Sequence, residues 1–124
     1  MEGAVTYSND AKMRTLNVRQ ETLDKFGAVS SETADEMARG MRERADTDYA
    51  ISVTGIAGPE GGSEEKPVGT IWFGLADRNG AKTIKLVFPG DRYLIRWRSS
   101  QAALDLLRRR LLQSEESRTT QTNV

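Results

Sequence analysis

Apolar positions along the chain recur at two spacings, one suited to helices and one to strands. Gly3 to Tyr7 (Gly-Ala-Val-Thr-Tyr) predicts a strand at the start of the sequence. Ser8-Asn9-Asp10 is turn or N-cap chemistry, and a short helix is expected behind it from Ala11 to Leu16. Gln20 to Phe26 predicts a second short helix, closed by Gly27 at the C′ position. Ser30 or Ser31 caps a clearer helix with Glu32 in its first turn. Met37, Ala38, Met41 and Ala45 form its apolar stripe.

The second half reads mainly as strands. Tyr49 to Val53 alternates aromatic or β-branched residues with small ones, and Val68 to Ala76 is apolar on both faces, which predicts a central strand. Asp77-Arg78-Asn79-Gly80 predicts a hairpin with a type I′ turn, and Ala81 to Phe88 is the return strand. Asp91 caps a long helix in which Leu94, Trp97, Gln101, Leu104, Leu107 and Leu111 form the expected core-facing stripe. Trp72 and Trp97 are both read as core residues. From Gln113 the sequence turns polar, so one domain over residues 1–112 with a disordered tail over 113–124 is expected. This order of elements predicts an α/β fold, a three-layer domain with a mixed sheet covered by helices.

Composition narrows the chemistry by what it omits. Apolar residues make up 37% and charged residues 29% of 124, in the range of ordinary globular domains. The 18 basic and 18 acidic residues cancel, so no global pull toward nucleic acid or membrane is expected. No apolar run approaches the ~20 residues that span a bilayer, and the start lacks an apolar signal-peptide core, so a cytoplasmic location is expected. There is no cysteine and no histidine. Disulfides, thiolate nucleophiles, Cys- or His-ligated metals and histidine acid–base catalysis are therefore excluded within these residues. Any catalysis must use Lys, Tyr, Ser, Thr, Arg or carboxylates.

The densest candidate chemistry follows the Tyr49 to Val53 strand. Thr54-Gly55-Ile56-Ala57-Gly58-Pro59-Glu60-Gly61-Gly62 packs four glycines and a proline into a short loop. Such a loop can bring backbone N–H groups close to an anion, or it can be a tight turn. No Gly-Lys-Ser/Thr follows, so it is not a P-loop, and its glycine spacing does not fit a dinucleotide fingerprint.

Several segments together resemble the C-terminal domain of CinA-type competence/damage-inducible proteins. They are Tyr7-Ser8-Asn9-Asp10-Ala11-Lys12, Gly27-Ala28-Val29-Ser30, Val53 to Pro59 with Gly61-Gly62, Lys66-Pro67-Val68-Gly69 and Phe88-Pro89-Gly90-Asp91-Arg92. The similarity runs from about Gly3 to Leu112. It implies a nicotinamide-nucleotide amidase, which hydrolyses the carboxamide of nicotinamide mononucleotide to nicotinate mononucleotide and ammonia within pyridine nucleotide salvage. It implies no cofactor and no metal, and a serine nucleophile with a lysine partner. Lys12 matches the family lysine, a general base if burial lowers its pKa, and Tyr7 matches a tyrosine that orients the nucleophile or the amide. Thr54, Gly55, Ala57 and Gly58 match the substrate loop. Arg92, with Arg96 as its substitute, matches a phosphate contact. The family's Glu-Ser-Cys-Thr-Gly-Gly and Gly-Ser-Ser segments are not among residues 1–124, and the serine expected as nucleophile lies in the part of the family domain that holds them. Ser8 and Ser52 are the replacements to consider. The alternative is a non-catalytic nucleotide-binding or oligomerisation module, and self-association is expected in either case.

Overall fold

The computed structural model describes the backbone of residues 2–122 and the side chains of residues 2–115. Helix α1 (Asn9–Leu16) starts at Ser8, whose Oγ accepts a hydrogen bond from the Ala11 N–H at 3.0 Å. It stops at Asn17, which sits in the left-handed region at φ 60°. Helix α2 (Gln20–Phe26) ends at Gly27 with φ 80°, as the sequence predicts. Helix α3 (Ser31–Ala45) is capped by Ser30, whose Oγ accepts from the Thr33 N–H.

Three strands follow, β1 (Ala50–Gly55), β2 (Thr70–Asp77) and β3 (Gly80–Val87), paired antiparallel in the order β1-β2-β3. Val53 pairs with Phe73 and Phe73 with Ile84, so β2 is central as expected. Helix α4 (Arg92–Thr122) then crosses the sheet, its first turn closed by Asp91 Oδ1 accepting from the Leu94 N–H at 2.9 Å.

Strand alternation divides the core between the two faces. Ser52, Thr54 and Gly74 face α3: the Ser52 hydroxyl donates to the Ala34 carbonyl at 2.6 Å. A Cβ at Gly74 would overlap the same carbonyl, so glycine lets the helix approach the sheet closely. On the opposite face Ile71 and Phe73 are buried against Ile95 and Ala103 of α4. Under the other side of α3 a second cluster joins Leu16, Val18, Leu23 and Met37. The result is a three-layer α/β fold, with α1 to α3 on one face and α4 on the other.

Five expectations need correction. Gly3 to Tyr7 form no strand; Val5 is 77% and Tyr7 82% exposed, and no backbone hydrogen bond joins this segment to β1. Without that ladder nothing offsets the entropy of an extended segment, and the sheet is antiparallel rather than mixed among the described residues. The hairpin is not type I′, because only Gly80 has positive φ, at 133°, and Asp77 Oδ1 instead accepts from the Asn79 N–H at 2.7 Å. The stripe on α4 is rotated: Ile95, Ser99 and Ala103 are buried, whereas Trp97 and Leu104 are 55% and 62% exposed. Small side chains at 99 and 103 allow the closer approach to the sheet, so they win over the larger leucines. The helix also continues past Gln113 to Thr122, since 92–122 contain no Gly or Pro to stop it. Residues 123–124 of the expected tail lie outside the described residues.

Candidate active site

An open cavity of about 770 Å3 lies between the N-terminal segment, the free edge of β1 and the flank of α4. Lys12, Tyr7, Thr54, Gly55, Ala57, Arg92 and Arg96 all line it. Residues far apart in sequence are thus brought to one place. Gly58 is not a lining residue, but its carbonyl accepts a hydrogen bond from Arg92 Nη1 at 3.1 Å.

Lys12 is placed by the Ser8 cap, which fixes the start of α1 and turns position 12 inward. Its side chain is buried, 7% exposed, and its ammonium donates to the Thr6 carbonyl at 2.7 Å. Among the described residues it forms no salt bridge with a carboxylate. Burial without a counter-charge pushes its pKa below the usual lysine range, which favours the neutral amine a general base requires. Tyr7 stands at the rim, largely in solvent.

Thr54 is turned differently from its expected role. Alternation along β1 puts its side chain on the α3 face, where the hydroxyl donates to the Ala28 carbonyl at 2.6 Å. Val53, 39% exposed, presents the apolar cavity face of the same strand. The Thr54 hydroxyl is thus already committed to the backbone of the α2–α3 connection.

The glycine loop is docked rather than free. Ile56 exchanges backbone hydrogen bonds with the far limb, donating to Thr70 at 3.0 Å and accepting from Gly69 at 2.7 Å. Gly58 has φ 81°, and a Cβ there would meet Val68 at 2.6 Å. A cis peptide joins Gly58 to Pro59. Lys66 Nζ donates to the Phe26 carbonyl at 2.7 Å and ties the loop to the end of α2. That tether gives no local sequence signal, because its partners lie far apart in the chain.

The two candidate replacement nucleophiles are otherwise engaged. Ser8 Oγ caps α1, and buried Ser52 donates to Ala34 on the α3 face. In α4, Ser99 and Ser100 line the cavity but donate to the Ile95 and Arg96 carbonyls. Among the described residues no three carboxylate, histidine or cysteine side chains gather as metal ligands would. No described helix is long and apolar enough to cross a membrane.

Comparison with known proteins fits this arrangement. The family model for the CinA C-terminal domain matches residues 1–111. A competence-damage inducible protein of Clostridium acetobutylicum is 54% identical over 112 residues, covering 90% of this chain and 27% of the relative. A CinA-like protein of Endomicrobium trichonymphae is 55% identical over 108 residues, covering 87% of this chain and 25% of that protein. Among solved structures, the competence/damage inducible protein CihA of Agrobacterium tumefaciens superposes with a TM-score of 0.79 at 45% identity. It covers 82% of this chain and 63% of its own. The competence damage-inducible protein A of Klebsiella pneumoniae gives 0.82 at 39% identity, with 86% and 66% covered. The chain thus spans about a quarter of the curated relatives it matches. With the family model matching nearly its whole length, this chain belongs to the CinA C-terminal domain family.

Proposed function

We propose that this chain is the substrate-binding and general-base portion of a nicotinamide-nucleotide amidase, converting nicotinamide mononucleotide to nicotinate mononucleotide and ammonia. The observation that carries the reading is Lys12, a buried amine with no carboxylate partner among the described residues, on the wall of a cavity that also holds Arg92 and Arg96. Two arginines, Arg92 and Arg96, line that cavity against one carboxylate, Glu2, which is paired with Arg44 at 3.1 Å. A phosphate-bearing ligand suits such a balance.

In the scheme, neutral Lys12 takes the proton from a serine hydroxyl as the oxygen attacks the carboxamide carbon. The developing oxyanion needs N–H donors, and the backbone of Gly55 and Ala57, which line the cavity, is the candidate source. The Lys12 ammonium returns that proton to the amide nitrogen, which leaves as ammonia; water, giving its proton to Lys12, then attacks the acyl-serine, and the proton passes back to the serine oxygen as nicotinate mononucleotide is released. Ser8 and Ser52 are poor nucleophiles here, given their partners. The resemblance assigns the serine to a part of the family domain that is not among residues 1–124. Tyr7 acts on the amide or the serine from the rim, and neither metal nor cofactor takes part.

Self-association belongs to the same reading. Trp97, Leu104 and Leu111 recur every seven residues on α4 and are 55%, 62% and 43% exposed. That stripe suits a helical partner such as a second copy. A cytoplasmic setting accords with the substrate.

The test is ammonia release from nicotinamide mononucleotide, measured for the 124-residue chain beside a form extended upstream in frame. Release by either form supports the amidase. Binding without release in both would favour the non-catalytic nucleotide-binding module.

A further inference from the structure

The lysines of this chain sit in very different surroundings. Lys25, Lys82 and Lys85 are exposed, and half-buried Lys66 donates to the Phe26 carbonyl. Lys12 is buried, yet its side chain forms part of the wall of the open cavity between β1 and α4. None of the other four lines that cavity. Lys12 is therefore the one lysine that combines burial with access from a pocket.

Its company on that wall is largely apolar. Met37, Met41, Ile51, Val53 and Leu104 share the cavity with it, and the one carboxylate there, Glu2, is held by Arg44. An amine in such a place loses hydration without gaining a counter-charge, so its neutral form is favoured. A neutral, desolvated lysine amine is a nucleophile toward carbonyl compounds as well as a base. The apolar wall favours a carbonyl compound that carries an apolar ring over a small, well-hydrated one. At about 770 Å3 the cavity leaves room for a single ring beside Lys12.

We propose that Lys12 is a covalent binding site for aromatic aldehydes, which it holds as an imine. The lone pair of its Nζ attacks the aldehyde carbon, and the C=O π pair moves onto the oxygen. One nitrogen proton passes to that oxygen and gives a carbinolamine. The second follows as the C–O bond breaks, water leaves, and the nitrogen lone pair closes the C=N bond. One amine and one aldehyde thus give one imine and one water, with no oxidant or reductant. A protonated imine keeps one N–H, and the Thr6 carbonyl, which accepts from Lys12 at 2.7 Å, is placed to accept it. This chemistry goes beyond the amidase scheme: a general base only borrows a proton, whereas here the lysine nitrogen becomes bonded to the ligand.

The test is reductive trapping on the 124-residue chain. Benzaldehyde is the probe, cyanoborohydride converts each imine to a stable secondary amine, and peptide mass spectrometry locates the label. At pH 7 Lys12 should be labelled at least about tenfold faster than the exposed Lys82 and Lys85, since burying a ring against an apolar wall contributes that much. The preference should disappear in urea above the unfolding midpoint, where burial and cavity are both lost. It should shrink for glycolaldehyde, which has no ring to bury. Lys12→Arg, which keeps the charge, should abolish the fast labelling and leave Lys82 and Lys85 unchanged. Equal rates at Lys12 and Lys82 in the folded chain would overturn the site, as would a preference that survives in urea. Equal preferences for benzaldehyde and glycolaldehyde would overturn the aromatic class. Ammonia release plays no part in the readout, so the imine site and the amidase reading stand or fall separately.

Discussion

The Lys12 ammonium donates to the Thr6 carbonyl at 2.7 Å, so among the described residues the partner of this buried charge is a neutral dipole. A carbonyl compensates poorly for lost hydration, which is why burial depresses the Lys12 pKa. The folded pKa lies below the unfolded value of 10.5. The folded state therefore holds fewer protons between those two values, and stability rises with pH across that window. The gain is full above the unfolded pKa and is lost as pH falls through the folded one. Lys12→Met should flatten this rise in urea unfolding and cost less than about 1 kcal/mol at pH 7, since only one net hydrogen bond is removed. A larger loss at pH 7 would show that the ammonium stabilises the fold.

Glu36 provides the opposite pH response. Burial alone would raise its pKa, but hydrogen bonds from the Thr22 hydroxyl and from the Arg19 N–H and side chain outweigh it and lower the pKa. Stability from this clasp is present above the unfolded carboxylate pKa and disappears as pH falls through the lower folded value. Glu36→Gln should cost about 1–3 kcal/mol at pH 7 and remove that part of the acid sensitivity, read from denaturation midpoints at pH 7 and pH 3.

Gly40 sits inside α3 where the end of α1 crosses it. A Cβ there would overlap the Leu16 carbonyl carbon and oxygen, which belong to rigid backbone. Replacing an ordinary helical glycine by alanine gains up to ~1 kcal/mol. Here the overlap dominates, and Gly40→Ala should destabilise by at least ~2 kcal/mol in thermal or urea unfolding. A stabilised variant would contradict the α1–α3 packing.

Leu104 tests self-association. It is 62% exposed at the middle of the α4 stripe, so a charge there costs the monomer little. Leu104→Glu should shift sedimentation toward monomer and leave the unfolding midpoint of the monomer within ~0.5 kcal/mol. An unchanged sedimentation profile would remove this stripe from the interface.

Local signals in the sequence were read well. Ser8, Ser30 and Asp91 cap helices because a side-chain oxygen satisfies nearby N–H groups, and that chemistry depends on adjacent residues alone. The centrality of β2 followed from its two apolar faces. What failed depended on distant partners. Gly3 to Tyr7 have strand composition, but a strand exists only through its ladder. The α4 register was misread because periodicity finds a leucine-rich face without saying that Ser99 and Ala103 permit closer packing. In the candidate site, Lys12, Tyr7, Ala57, Arg92 and Arg96 do meet at one cavity. The orientation of Thr54 and the ties made by Lys66 and Arg92 required knowing what lies across the fold.

The cavity between β1 and α4 as a nucleotide site is the central claim, and amide NMR mapping during titration with nicotinamide mononucleotide tests it most directly. Saturable shifts should cluster at Gly55, Ala57 and Gly58, at Arg96 and Ser99, and around Lys12. Shifts confined to the outer faces of α2 and α3, or no shifts at millimolar ligand, would contradict it.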